Sequence, residues 1–107
     1  MPQYKAPVDD ALFLIDDVLK LDSLTRLPGY QDLSLELVAQ ILNGAAKLCE
    51  ETLAPLNAVG DRMGCVRHAD GSVSTPPGFQ SAYQAFASGG WVGLPAPEEY
   101  GGQGLPY

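Results

Sequence analysis

Length, composition and charge describe a small acidic domain of 107 residues, enough for one hydrophobic core. Apolar residues make up 46% of the chain and the mean hydropathy is -0.01, unlike the composition of disordered segments. Thirteen acidic and six basic side chains give a net charge of -7, which repels the phosphates of nucleic acids and anionic lipids. We therefore expect neither nucleic acid nor membrane as a partner.

The start of the chain lacks the features of a targeting signal. It turns acidic at Asp9 and Asp10, without a basic start or a small-residue cleavage site. The longest apolar run, 11–15, is far shorter than the ~20 residues that cross a bilayer. We expect a cytoplasmic protein, in which Cys49 and Cys65 stay reduced and no disulfide forms.

A first helix is predicted before the turn at Pro28 and Gly29. Asp9 or Asp10 would cap it, and apolar residues at three- and four-residue steps would form one stripe opposite a charged side. The stripe consists of Leu12, Phe13, Ile15, Val18 and Leu19, and the charged side of Asp16, Asp17 and Lys20.

The strongest helix pattern covers residues 35–54 and begins at Asp32 or Ser34. Gly44 weakens the middle of this helix by up to ~1 kcal/mol relative to alanine. Pro55 must kink the helix or begin a new turn, because it has no N–H to donate to the preceding turn.

Between this helix and the next, the pair Asp70-Gly71 predicts a tight turn within a small hairpin or an extended loop. Cys65 and His68 lie beside Asp70, but a fourth ligand and a paired spacing are missing, so no metal site is predicted. His68 has no evident partner as a general base, and we interpret it as a surface histidine.

An aromatic stripe at helical spacing predicts a third helix, which the two glycines Gly89 and Gly90 end. Its aromatic residues Phe79, Tyr83 and Phe86 are expected in the core, since such stripes usually serve packing. The rest of the chain is expected to form a loop throughout.

Few residues suggest chemistry. Gly101, Gly102 and Gly104 suggest a phosphate-cradling loop, but the preceding strand, the following helix and the lysine of such loops are missing. Neighbouring carboxylates at 16–17 and 98–99 would point in different directions on a helix. No serine lies in a nucleophile-elbow pattern. We therefore predict no catalytic residue in this chain.

Three stretches carry a recognisable family pattern. They are Leu53-Ala54-Pro55-Leu56-Asn57 with Gly60-Asp61, then Gly78-Phe79-Gln80-Ser81-Ala82-Tyr83, and Gly90-Trp91-Val92-Gly93-Leu94 leading into Pro97-Glu98-Glu99-Tyr100-Gly101-Gly102-Gln103-Gly104-Leu105. Together they resemble the amino-terminal domain of the acyl-CoA dehydrogenase family. The opening from Tyr4-Lys5-Ala6-Pro7 through Leu19, together with Thr75-Pro76-Pro77-Gly78-Phe79, looks more like the longer subfamily that includes methylthiopropanoyl-CoA dehydrogenases.

The resemblance covers nearly the whole chain and implies its organisation. Residues 1–31 would be an amino-terminal extension with one helix, and residues 32–107 the amino-terminal helical domain of the family, truncated at its carboxy-terminal end. The fold class is therefore all-α, with a short hairpin or extended loop. In the family, this domain packs against a flavin-binding β-domain and a carboxy-terminal helical bundle.

The resemblance also implies a function: FAD-dependent dehydrogenation of an acyl-CoA thioester, with an electron-transfer flavoprotein as acceptor and a homo-oligomeric enzyme. The family's catalytic glutamate and its flavin belong to domains outside this chain, so the chain alone would bind no FAD. One segment matches a wall of the family's acyl-binding region, and packing between domains explains it equally well. These substrate-proximal residues are Tyr100, Gly101, Gly102, Gln103 and Gly104.

Two other functions stay open at this point. The chain could be a free-standing acidic helical module that binds other proteins without catalysis. It could also derive from a family member that has exchanged dehydrogenation for a damage response with nucleic acid, although the charge of -7 argues against binding through this segment.

Overall fold

The structure, a computed structural model, describes residues 3–106 and is mostly helical with one two-stranded hairpin, which confirms the predicted fold class. The outermost residues of the predicted ranges 1–31 and 32–107 thus lie outside the described residues. The helices are α1 (Val8–Phe13), α2 (Leu21–Leu24), α3 (Leu35–Lys47), α4 (Ala54–Met63) and α5 (Phe79–Ser88), and the strands are β1 (Val66–Arg67) and β2 (Val73–Ser74).

Two helices contain a wider π-helical turn, in which an amide donates to the carbonyl five residues earlier. One such turn, Leu48–Leu53, joins α3 to α4, so that the helix continues over residues 35–63. Its predicted end at residue 54 was therefore wrong. Pro55 lies in the first turn of α4, directly after the wider turn, whereas in the interior of a regular helix a proline ring clashes with the carbonyl of the preceding turn.

The second π-helical turn, Leu14–Val18, follows α1 and changes which side chains face inward. Leu12, Ile15 and Asp16 are half-buried, and α1 packs against α3. Phe13 is 57% exposed. The prediction of one apolar stripe was wrong, because a regular helical repeat does not hold through a wider turn.

The helix starts follow two different rules. α1 begins after Pro7 without a side-chain cap, so the prediction that Asp9 or Asp10 caps it was wrong. Both residues lie in the first turn of the helix, where the helix dipole stabilises a negative charge. At the start of α3, the Ser34 hydroxyl oxygen accepts the N–H of Leu37 at 3.0 Å. Of the two predicted starts for this helix, the structure selects Ser34.

The hairpin and α5 follow their local signals. Val66 pairs with Ser74 and Arg67 with Val73, and Gly71 turns the chain with a φ of +87° in the predicted turn. The third predicted helix is α5, whose residue Ala82 is 4% exposed. Of the three aromatic residues predicted in the core, Phe86 is half-buried, whereas Phe79 is 37% exposed and Tyr83 is 68% exposed.

The described chain is long and thin. Its radius of gyration is 17.8 Å, whereas a compact domain of this length has about 13 Å. Its accessible surface is 8049 Å², against about 5,700 Å² for a folded monomer of this mass. Leu21 and Ala82 are its buried apolar core residues, and many large apolar side chains stay exposed. Apolar surface exposed to this extent often marks a site of contact with another protein.

Replacing Ser34 with alanine should lower the free energy of unfolding by about 1 kcal/mol, because the Leu37 N–H loses its acceptor. Ser34→Asp keeps an acceptor and should stay close to the parent chain. Urea unfolding followed by far-UV circular dichroism measures both variants. Equal losses in the two would show that the hydroxyl does not cap α3.

Candidate functional site

The candidate site is the glycine-containing segment after α5, residues 91–105. It was expected to be a loop throughout, but it contains two short 3₁₀ turns, Trp91–Gly93 and Glu98–Tyr100. The segment then folds back on itself. The N–H of Gln103 donates to the Gly93 carbonyl at 3.0 Å, and that of Leu105 to the Leu94 carbonyl at 3.0 Å. The segment is therefore an ordered, internally bonded unit.

The backbone amides of the three glycines that suggested a phosphate-cradling loop already have acceptors within the segment. Gly101 donates its N–H to Glu98, Gly102 to Pro97 and Gly104 to Ala96, at 2.9, 3.1 and 2.9 Å. A phosphate-binding loop needs amides that are free to point at the anion. In this fold the same amides hold the segment closed, so its glycines serve the turn instead of an anion.

The structure separates the five predicted substrate-proximal residues. Tyr100 is 78% exposed and lies on the outside of the segment. Gln103 lines a groove of about 290 Å³ that lies between α3 and this segment. Gly101 is exposed, while Gly102 and Gly104 are half-buried within the turn. Two side chains of this group, those of Tyr100 and Gln103, are thus placed to meet another molecule or domain.

Trp91 fixes the segment to the long helix. A Cβ added at Gly44 would lie 3.3 Å from the indole Cη2, so the absence of a side chain there lets the ring lie against α3. A Cβ at Gly89 would lie 2.7 Å from the indole Nε1. The sequence predicted only the helix-weakening effect of Gly44. Its packing role depends on a residue distant in sequence, and no local pattern indicated it.

Two further grooves follow the long helix. One groove, of about 440 Å³, has α5 on one side and the end of the π-helical turn together with α4 on the other, and its lining is mostly apolar. Its lining residues are Leu53, Leu56, Asn57, Phe79, Ala82, Tyr83 and Phe86. The other, of about 640 Å³, lies beside the amino-terminal segment, where the Ala6 N–H donates to Glu50 Oε1 at 2.8 Å.

The flavin that the family resemblance implies does not fit these grooves. A flavin dinucleotide needs donors or positive charge for its pyrophosphate. No Lys or Arg lines any of the three grooves described here, and the carboxylate of Glu50 lies in the widest one. The residues that line these three grooves therefore do not fit a flavin dinucleotide, and we assign them no step of flavin chemistry.

The hairpin brings together polar side chains that were considered singly in the sequence. His68 Nε2 lies 2.6 Å from Ser74 Oγ across the hairpin, so the histidine has the partner that the sequence did not reveal. The sequence signal for this pair was that His68 and Ser74 lie six residues apart on the two sides of the predicted turn. Asp70 accepts hydrogen bonds from the hydroxyl and the N–H of Ser72 at 2.7 and 2.9 Å. Both pairs are exposed.

Asp70 accepts hydrogen bonds from Ser72 and forms no metal-ligand cluster with Cys65 and His68, with which a metal site was considered. Two hydrogen bonds from Ser72 hold the pKa of the Asp70 carboxyl below its ordinary value; the bond from the hydroxyl has the larger effect and the bond from the N–H the smaller one. Over residues 3–106, no three metal-ligating side chains form a cluster. Within the same range, no helix is long and apolar enough to cross a bilayer.

Comparison with known proteins shows what this arrangement resembles. No family model matches the chain. The chain is similar to an acyl-CoA dehydrogenase over almost all of its length. This relative is the 3-methylmercaptopropionyl-CoA dehydrogenase of Ruegeria pomeroyi, 36% identical over 103 residues, which are 96% of this chain. The resemblance predicted from the sequence is confirmed, and the chain spans 17% of the length of that enzyme.

Gly102→Ala should destabilise the segment by about 1–3 kcal/mol, because the new Cβ would overlap the backbone carbonyl of Ala96. Gly93→Ala is the matched control, since its Cβ would meet its nearest neighbour at 3.4 Å, an ordinary contact. Fluorescence of Trp91, the single tryptophan of the chain, reports the unfolding of this segment. Equal stability of the two variants would contradict the close approach.

Ser72→Ala should raise the pKa of Asp70, because the first cause of its lowered value is removed. With a lowered pKa, the contribution of ionised Asp70 to hairpin stability is present above the ordinary pKa and disappears as the pH falls through the lowered value. NMR titration of the carboxyl group measures this shift. Ser74→Ala is the control and should leave the pKa of Asp70 in place.

Proposed function

We propose that this chain is the amino-terminal helical part of an FAD-dependent acyl-CoA dehydrogenase. In this proposal, residues 1–31 form an extension with one helix, and residues 32–107 form the helical domain that packs against the rest of the enzyme. The observation that carries the proposal is the similarity over 96% of the chain to an enzyme of which it spans 17%. An enzyme of that length has ample protein to provide the flavin site and the catalytic base.

The uncovered surface supports the same proposal. The accessible area exceeds that of a compact monomer by about 2,300 Å², comparable with the surface buried in a stable protein interface. The apolar groove between α4 and α5, with Phe79 and Tyr83 at its wall, offers such a contact. A free-standing interaction module, the alternative function, would be expected to bury more of its own apolar side chains.

The substrate-proximal role belongs to the segment after α5. Tyr100 presents most of its ring outward, and Gln103 presents its amide at a groove, so both can contact a ligand or a neighbouring domain. The closed hydrogen bonds of the segment would hold these side chains in fixed positions. In this proposal, the segment forms part of the wall around the acyl chain of a CoA thioester.

Flavin, electron acceptor and subunit contacts belong to the rest of the enzyme in this proposal. When bound there, FAD would supply the redox chemistry that takes hydrogen from the acyl chain. An electron-transfer flavoprotein would accept the electrons, and several copies of the enzyme would associate. The contribution of the described residues is to pack, to position the substrate wall and to exclude water from it.

The full-length polypeptide containing this chain should oxidise an acyl-CoA when FAD and an artificial electron acceptor are supplied. Tyr100→Ala in that polypeptide should raise the KM for the acyl-CoA several-fold with little change in kcat, because it removes a contact remote from the reacting carbons. Tyr4→Ala is the matched control, since this half-exposed tyrosine lies beside a different groove.

Two results would separate the parts of this proposal. Failure of the full-length polypeptide to oxidise any acyl-CoA would contradict the dehydrogenase function. If the full-length polypeptide oxidises an acyl-CoA but the parent protein, Tyr100→Ala and Tyr4→Ala have equal KM values, the dehydrogenase function would be supported. The role of Tyr100 in the acyl-binding wall would then be contradicted.

A further inference from the structure

The outer side of the first helix combines acidic and apolar side chains in a regular arrangement. Six exposed residues of α1 and its π-helical turn form it, and we name it the acidic-apolar face. Its residues are Asp9, Asp10, Phe13, Leu14, Asp17 and Val18. The described residues leave it uncovered, with Phe13, Leu14 and Val18 exposed by 57%, 52% and 54%.

The π-helical turn aligns this face. In a regular helix, a step of four residues advances by about 40° beyond a full turn, so a column of such residues drifts around the axis. A π-helical turn has more than four residues, so a step of four residues falls short of a full turn and cancels much of this rotation. The residues of the face therefore stand in two adjacent columns, one running through Phe13 to Asp17 and the other through Leu14 to Val18.

The opposite side of the same helix packs within the described chain. α1 packs against α3, and Ala11, Leu12 and Ile15 are half-buried. The segment that leads into α1 is tied to the long helix by the hydrogen bond from Ala6 to Glu50. The helix is thus held by one side, and its acidic-apolar face is presented outward as a fixed surface.

We propose that this face binds an amphipathic helix of a separate protein, one that carries Lys or Arg beside its apolar residues. The apolar columns would pack against the apolar side of that helix, and the three aspartates would meet its basic side chains. No Lys or Arg lies between Asp9 and Val18, so every charge within the face has the same sign. This inference does not depend on the proposed dehydrogenase function.

The negative charge of the face disfavours the other partners that could cover it, such as a second copy of the chain or an anionic lipid surface. A second copy of the chain would bring the same three aspartates against this face, and like charges in contact oppose association. An anionic lipid surface is repelled for the same reason. Among the described residues, the six basic side chains are dispersed from Lys5 to Arg67, and no segment has the required basic, apolar pattern.

A short synthetic helix of Leu and Lys, with the leucines on one side, is the probe for this proposal. Fluorescence anisotropy with the full-length polypeptide that contains this chain should show saturable binding that weakens between about 50 mM and 200 mM salt, because salt screens exposed charge pairs. A peptide with Glu in place of Lys should not bind. A scrambled peptide of the same Leu and Lys content, without an apolar side, should bind at least about tenfold more weakly.

Variants of the face test its residues directly. Leu14→Ser with Val18→Ser, and separately Asp9→Asn with Asp17→Asn, should each weaken peptide binding by about tenfold or more. Asp61→Asn with Glu98→Gln is the matched control, because it removes two exposed carboxylates outside the face and should leave binding unchanged. Circular dichroism checks that each variant keeps the helical content of the parent chain.

Four results would overturn the proposal. They are absence of binding, equal binding of the scrambled peptide, equal weakening by the control variant, and self-association in analytical ultracentrifugation that Leu14→Ser with Val18→Ser abolishes. The last result would assign the face to a second copy of the chain.

Discussion

The long helix over residues 35–63 is the element on which the placement of the others depends, and it exists because one wider turn accommodates Pro55. α1 packs against its first half, and α5 packs beside the wider turn itself. A regular helix would clash with the proline ring and end near residue 54. The groove between α4 and α5 would then lose one wall. The position of a single imino acid thus shapes the apolar surface that this chain presents.

Local signals in the sequence were sufficient for much of the fold. The hydroxyl of Ser34, the glycines after α5 and the pair Asp70-Gly71 act on their immediate neighbours, and the elements that they predict are present. The register of α1 was beyond such reasoning, because a regular repeat was assumed and the wider turn interrupts it. The exposure of Tyr83 was missed for another reason: an aromatic stripe predicts burial, but no other part of the described chain covers this side of α5.

The candidate site was predicted through family resemblance and not through chemistry. Glycines in sequence indicate freedom of the backbone, and they do not show whether the amides are free or bonded. The structure shows them bonded, which leaves the outward Tyr100 and the groove-lining Gln103 as the informative side chains. The contact between His68 and Ser74 follows from strand pairing, which the turn indicates only once its register is known.

The contact between Gly44 and Trp91 sets local and tertiary preferences against each other. Alanine at position 44 would suit the isolated helix better, yet it would press on the indole that holds the segment after α5. Replacing Gly44 to strengthen the helix would therefore move the indole by a few tenths of an ångström or strain its contact with α3. Helix propensity and the anchoring of the segment after α5 thus make opposite demands on this one position.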